Sequence, residues 1–261
     1  MAKLMKNKVA VITGAGSGIG RSAALKLAEQ GAKIALLDQS EQNACQVQEE
    51  INKLGSEAFV IQADVSKSAN VQHAFHETYN HFEQIDFVIA NAGINGVITP
   101  IEDMKAEEWD KTIAVNLKGT FLTVKYAIPY MKKNGGSIAI TSSINGNRYF
   151  KNFGFSAYSS SKAAQVAFGK MAALQLAQYK IRVNIICPGA IDTNINDSTL
   201  KSNEDLKKIT ISIEYPQGSQ PLAKRAGTAE EVSDLVLFLA SNMSSHITGT
   251  EIYIDGAESL L

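Results

Sequence analysis

The 261 residues, 45% of them hydrophobic, suffice for one large α/β core, and no composition shift marks a division into two. A net charge of −1 with both signs interspersed leaves no basic stripe for nucleic acid. No apolar run nears the roughly 20 residues of a bilayer span, segment 1–8 has no apolar export core, and Cys45 and Cys187 follow no disulfide or zinc spacing, so a chain without membrane partners in a reducing cytoplasm is expected.

Apolar, β-branched runs at Val9–Thr13, Ile34–Leu37, Ala58–Ile61, Phe87–Ala90, Ser137–Thr141, Val183–Ile186 and Glu251–Ile254 read as strands buried on both faces. Helical periodicity fills the gaps at Ile19–Gln30, Glu41–Leu54, Val71–His81, Glu107–Lys133, Ala157–Tyr179 and Ala229–Ala240. This alternation predicts right-handed crossovers and a doubly wound α/β fold: a parallel sheet of seven strands, helices on both faces, in a single domain over 1–261. The stretch at about 192–225, rich in Asn, Ser, Lys and Gly, shows no clear period. It follows the sixth strand at the edge where open α/β sheets bind ligands, so a substrate lid is expected there, with a surface insertion as the alternative.

The first chemical signal is TGAGSGIG, Thr13 to Gly20, between the first strand and the first helix. Without side chains at Gly14, Gly18 and Gly20, backbone can approach a pyrophosphate while the helix N-terminus supplies N–H donors and positive dipole. Close helix–strand packing would ask for the same glycines. Ser17 and Ile19 belong to this turn and join the candidate contacts. Asp38 ends the second strand, where dinucleotide folds place a carboxylate that accepts from the adenosine ribose hydroxyls. It would repel a 2′-phosphate, and neither Ser17 nor Gln39 offsets its charge, so NAD is expected over NADP. Asp38 would equally serve as N-cap of the 41–54 helix, a task open also to Ser40.

Tyr158 and Lys162 stand four residues apart on a helix and project from one face. Bringing a phenol from its reference value of about 10 to near neutrality requires about 4 kcal/mol. One cation about 4 Å away, at an effective dielectric of about 20, supplies roughly that much, which makes Lys162, helped by the oxidised nicotinamide, a partner of the right size. Ser142 and Ser143 end the fifth strand, where successive residues point opposite ways, so only one faces the cleft. Asn116, flanked by Val115 and Leu117 in mid-helix, is either a buried amide in need of partners or a surface residue.

TGAGSGIG, Asn91-Ala92-Gly93, Ser142-Ser143, Tyr158-x-x-x-Lys162 and Cys187-Pro188-Gly189 together resemble the short-chain dehydrogenase/reductase family, over nearly the whole chain from Val9 to Gly256. The resemblance implies a Rossmann-type sheet, NAD as cofactor, hydride transfer between a small-molecule secondary alcohol and its ketone, and a homotetramer. It implies Tyr158 as general acid/base, Lys162 as its partner and ribose holder, and Ser143 as the hydroxyl that polarises the substrate carbonyl. Asn116 would anchor a water linking Lys162 to solvent. Asp64 and Val65 would meet adenine; Asn91, Ala92 and Gly93 would shape the back of the ribose site. Pro188, Gly189, Ile191 and Thr193 would lie along the nicotinamide carboxamide and pyrophosphate.

Two departures stand out. The fifteen residues from Ser143 to Tyr158 exceed the usual family spacing, with the extra length in 147–153, and Ile254-Asp255-Gly256-Ala257 replaces the usual double glycine. Two other readings share the fold: a ketoacyl-thioester reductase, which would need NADPH and a basic surface by the cleft, and a non-catalytic NAD-binding sensor. For the substrate, Asn145 is expected in the pocket wall. Arg148 and Lys151, with Asn194, Asn196 and Asp197 in the lid, would suit an anionic or hydroxylated molecule; Tyr149, Phe150, Phe153 and Phe155 would suit an apolar one. His73 and His76 share a helix face without a third ligand, so no metal is expected. Trp109 reads as packing. Ala163–Phe168, apolar nearly all round, is expected between the sheet and a partner subunit, with Leu260 and Leu261 tucked into such an interface.

Overall fold

The apolar runs form strands because each is covered on both faces; all five residues of β1 (Val9–Thr13) are buried. The computed structural model describes residues 3–193, 195, 198–201, 206, 209 and 220–261. Its central sheet adds β2 (Lys33–Asp38), β3 (Ala58–Gln62), β4 (Phe87–Ala90), β5 (Gly136–Thr141), β6 (Ile181–Pro188) and β7 (Glu251–Ile254). The seven strands lie in the order β7-β6-β5-β4-β1-β2-β3, every pair parallel. The chain therefore winds outward in both directions from β1 and β4, whose carboxyl ends flank the crevice at which such sheets bind ligands.

Helices α1 (Gly18–Glu29), α2 (Glu41–Lys53), α3 (Ser68–Phe82), α4 (Ala106–Ile113), α5 (Gly119–Met131), α6 (Ser156–Leu176) and α7 (Ala229–Ala240) cover the two faces. The strand period of two divides the core between them. Ile12, Leu36 and Ile89 pack with Leu27, Val47 and Val236 on one side, while Val11, Leu37 and Val88 pack with Phe75, Leu122 and Met131 on the other. Local chemistry fixes the ends: Ser40 Oγ accepts from the Asn43 N–H at the start of α2, and Thr228 and Glu231 form a capping box on α7.

Three differences from the expected elements bear on function. The single helix expected over Glu107–Lys133 is broken by a π-helical turn, Ala114–Lys118, with the buried Asn116 at its centre. The widened turn rotates Asn116 inward, where its amide finds partners that a regular helix would not have offered. Two short parallel pairs were not foreseen: Ile191–Asp192 with Gly227–Thr228, and Gly96–Ile98 with Thr199–Lys201. Of the expected lid, Asn194, Asn196 and Asp197 lie outside the described residues. Trp109, expected to pack, is 38% exposed; Leu260 and Leu261, expected at a subunit interface, are exposed in the single chain. Among the described residues no helix is long and apolar enough to cross a membrane.

Candidate active site

The glycine turn is as tight as its sequence suggests. Gly14 and Gly18 have φ of +66° and +50°, a region that favours glycine. A Cβ on Gly14 would meet Ala92 Cα at 2.9 Å, and one on Gly20 would stand 2.0 Å from the Gly14 carbonyl oxygen. Gly20 thus serves helix–strand packing and does not reach the cleft, whereas Gly14, Ser17, Gly18 and Ile19 line it. Asn91 braces the turn: its Nδ2 donates to the carbonyls of Thr13 and Gly14, and Thr13 Oγ1 accepts from the N–H groups of Asn91 and Ala92. Asp38 accepts from Gly16 N–H through Oδ2 and from Ser40 N–H through Oδ1, both at 2.8 Å. Ser40 does the capping, which leaves the Asp38 carboxylate facing the cleft.

That cleft, about 1460 Å³, runs along the carboxyl ends of the strands. Gly14, Ser17, Gly18, Ile19, Asp38, Asp64, Val65, Asn91, Ala92 and Gly93 line one half; Ser143, Asn145, Tyr158, Lys162, Pro188, Gly189, Ile191 and Thr193 line the other. A dinucleotide fits these groups. The cradle at the α1 N-terminus has no room for a Cβ but offers backbone for a pyrophosphate, and the Asp38 carboxylate stands at the end of the neighbouring strand. Further in, Thr141 Oγ1 is buried with no hydrogen-bond partner among the described residues.

At the floor, Tyr158 and Lys162 are both buried. Burial pushes the Tyr158 phenol up to about 12, against a hydrogen bond with Ser143 that favours the phenolate. Burial also draws the Lys162 ammonium down to about 8. Lys162 Nζ donates to the Thr141 carbonyl at 2.9 Å and lies 5.5 Å from the centre of the Tyr158 ring. Burial thus opposes the shift toward neutrality expected of Lys162 and draws the ammonium toward its own neutral form as well. Both serines line the cleft, where one alone was expected to face it, but their hydroxyls take different partners. Ser142 Oγ donates to the Lys162 carbonyl at 2.8 Å, while Ser143 Oγ accepts from Asn145 N–H at 3.1 Å and bonds the phenol.

Asn116 does not line the cleft. It sits behind the wall, its Oδ1 accepting from Ile94 N–H at 2.9 Å and its Nδ2 donating to the Ile94 carbonyl and to Ser161 Oγ, each at 3.0 Å. Its carbonyl accepts from Thr120 Oγ1 and Gln165 Nε2. Both amide protons are committed within the chain, so the side chain ties the Ile94 backbone to α6. A Cβ on Gly93 would lie 3.2 Å from Asn116 Oδ1 and 3.6 Å from Lys162 Nζ, so this brace abuts the ammonium.

The inserted loop overturns part of the substrate expectation. Ile144 O accepts from the N–H groups of Asn147, Arg148 and Tyr149, curling the segment, and Arg148 places its guanidinium 3.7 Å from the ring centre of Tyr253, outside the cleft. Lys151 Nζ lies 5.4 Å from the Tyr149 ring and does not line the cleft either. The substrate wall is Asn145, Tyr149, Asn152 and Phe155, with Ile195, Ser198 and Leu200 opposite; Phe150 faces solvent. Sequence reasoning also missed Thr13, whose Oγ1 bonds backbone groups, Thr141, whose carbonyl accepts from Lys162, and Glu258, which lines the cleft. The only sequence signal for Glu258 was the departure at Gly256-Ala257 just before it.

The family model described as enoyl-(acyl carrier protein) reductase matches residues 14–257. Levodione reductase of Leifsonia aquatica is 34% identical over 97% of this chain and 94% of its own length. Among solved structures, a 3-ketoacyl-ACP reductase from Sinorhizobium meliloti is similar at TM-score 0.90 and 43% identity, covering 97% of this chain and 99% of that one. A 3-ketoacyl-(acyl-carrier-protein) reductase from Brucella melitensis, complexed with NADH, is similar at TM-score 0.85 and 30% identity, covering 98% and 99%. Similarity of this extent, spanning both the glycine turn and the tyrosine–lysine helix, places the chain in the short-chain dehydrogenase/reductase family of oxidoreductases.

Proposed function

We propose that the chain interconverts a secondary alcohol and a ketone with NAD(H), acting on a small uncharged molecule. The observation that carries this is the meeting of Ser143, Tyr158 and Lys162 at one end of a cleft whose other end holds the glycine cradle and Asp38. Bound there, the cofactor supplies or accepts the hydride. Asp38 takes the ribose hydroxyls, Asp64 and Val65 the adenine, and the Pro188–Thr193 wall the nicotinamide half. In reduction, the Ser143 and Tyr158 hydroxyls donate to the substrate carbonyl oxygen, and Tyr158 gives up its proton as the alkoxide forms. Burial raises the phenol to about 12, so Tyr158 holds the proton that reduction consumes. Lys162, still largely cationic at pH 7, stabilises the phenolate left behind and holds the adjacent ribose. Asn116 acts as a positioning residue through Ile94 and Ser161.

The uncharged substrate is supported by the inserted loop. Arg148 is turned onto Tyr253, and the residues of that stretch that line the cleft, Asn145, Tyr149, Asn152 and Phe155, carry no charge; the charged Glu107, Glu108, Asp110 and Lys111 of α4 line it elsewhere. A homotetramer would cover the exposed Phe121, Met171 and Leu174 of α5 and α6. The test is an NADH-oxidation panel of cyclic diketones, simple cyclic ketones, hydroxyketones and keto acids; preference for the keto acids would refute the reading. A second reading, ketoacyl-thioester reduction, is favoured by the similarity to two ketoacyl reductases. Asp38 weighs less against it than the sequence suggested, since the Brucella protein was crystallised with NADH. A 3-ketoacyl thioester turned over with a higher kcat/KM than any free ketone would decide for this second reading.

A further inference from the structure

The N–H and the carbonyl of Ala190 are each held by a side chain distant in sequence, the carbonyl accepting from Gly227 N–H as well. Glu258 Oε2 accepts the Ala190 N–H at 2.9 Å, while Gln220 Nε2 donates to the Ala190 carbonyl at 2.8 Å and to Glu258 Oε2 at 3.2 Å. Glu258 is 7% exposed and Gln220 3%, so these bonds are shielded from water. The fit is close: a Cβ on Gly189 would stand 2.7 Å from Glu258 Oε2. The chain reaches Glu258 through two successive left-handed residues, Gly256 at φ +55° and Ala257 at φ +69°. Asp255 holds that turn by accepting from Ala257 N–H and Ser259 N–H, and Leu222 N–H donates to the Gly256 carbonyl. An alanine in this region is strained, and such strain persists only where the surroundings over-determine it.

We infer that Glu258 and Gln220 are positioning residues that clamp Ala190, and with it the Pro188–Ile191 wall of the nicotinamide half, so that the C-terminal turn works as a latch on that half alone. The inference rests on the NAD(H) reading above. A carboxylate that accepts from a backbone N–H forms a charge-assisted bond, stronger than a neutral one, and its loss leaves a buried donor unpaired. The adenine half is built on β1 and β2, across the sheet from Ala190, and shares none of these bonds.

The experiment compares the binding of NADH with that of ADP-ribose, which carries the adenine half but no nicotinamide, to the full-length chain and to Glu258→Ala, Glu258→Gln and Gln220→Ala. The clamp requires Glu258→Ala to weaken NADH about tenfold, the order of a lost hydrogen bond to a charged group, with ADP-ribose held within about twofold. Glu258→Gln, which keeps an acceptor for the Ala190 N–H, should recover most of the loss. If Glu258→Ala folds too poorly to titrate, Gln220→Ala, which removes the side-chain bond to the Ala190 carbonyl, decides by the same comparison. Equal loss of both ligands, or loss of neither, overturns the clamp alone. A wild-type chain that binds neither ligand overturns the NAD(H) reading and the clamp with it.

Discussion

The Lys162 ammonium stands 5.5 Å from the centre of the Tyr158 ring yet gives its hydrogen bond to the Thr141 carbonyl, 2.9 Å away. Both groups are buried, and burial acts on them in opposite directions: it raises the phenol to about 12 and lowers the ammonium to about 8, each toward its neutral form. In the cofactor-free chain desolvation is thus the largest influence on each group.

Tyr158→Phe should abolish turnover while NADH still binds, since one hydroxyl is lost and the dinucleotide cleft is untouched. In the cofactor-free chain the ultraviolet difference between wild type and this variant should show no phenolate below about pH 10, the ordinary value for tyrosine. Alcohol oxidation, which needs the phenolate, should rise with pH, and ketone reduction, which needs the phenol, should fall. A phenolate signal appearing near neutrality would show that burial does not dominate.

Lys162→Met should be inactive and more stable at neutral pH. With a folded value near 8 against an ordinary 10.5, wild type bears the full desolvation cost below pH 8, roughly 3 kcal/mol at the upper limit. The cost fades between pH 8 and 10.5, because the folded chain releases its proton before the unfolded one does. After allowance for the lost bond to Thr141, Tm at pH 7 should rise by about 3 °C or more. That advantage should narrow on approach to pH 10; a wild type more stable at pH 7 would contradict the assignment.

The sheet was legible because its strands are unbroken apolar runs and its helices have a clear period. The glycine turn and the Tyr158–Lys162 pair were legible because local spacing alone puts their atoms together. What escaped depends on contacts distant in sequence. Nothing local tells that Arg148 will stack on Tyr253, more than a hundred residues on, rather than face the cleft. The π-turn at Asn116 exists because Ile94 and Ser161 offer partners for its amide, and neither lies within reach along the helix. Glu258 lines the cleft only because two left-handed residues turn the chain back toward Ala190.

Asp38 predicts a preference for NAD over NADP, measured as the ratio of kcat/KM for the two cofactors. Its carboxylate would meet a 2′-phosphate as a like charge while already held by Gly16 and Ser40. Asp38→Ala removes the repulsion and releases two N–H donors toward the phosphate, so the ratio should narrow about tenfold or more. Equal use of both cofactors by wild type would count against the assigned role.

Ala257→Gly should stabilise the chain, an unusual direction for a substitution to glycine. An alanine at φ +69° costs about 1–2 kcal/mol relative to the right-handed region, whereas the added freedom of glycine in the unfolded chain costs about 0.5–1 kcal/mol. The net gain of about 0.5–1 kcal/mol corresponds to a Tm higher by about 2 °C. Gly256→Ala should act in reverse and further: it puts a side chain on a residue at φ +55° and brings its Cβ to 3.0 Å from Gln220 Oε1. Because Gln220 grips the Ala190 peptide, this second variant should lose NADH affinity along with Tm, while Ala257→Gly should keep it. Thermal melts and NADH titrations on the pair decide the matter, and a destabilised Ala257→Gly would mean that the turn is not strained.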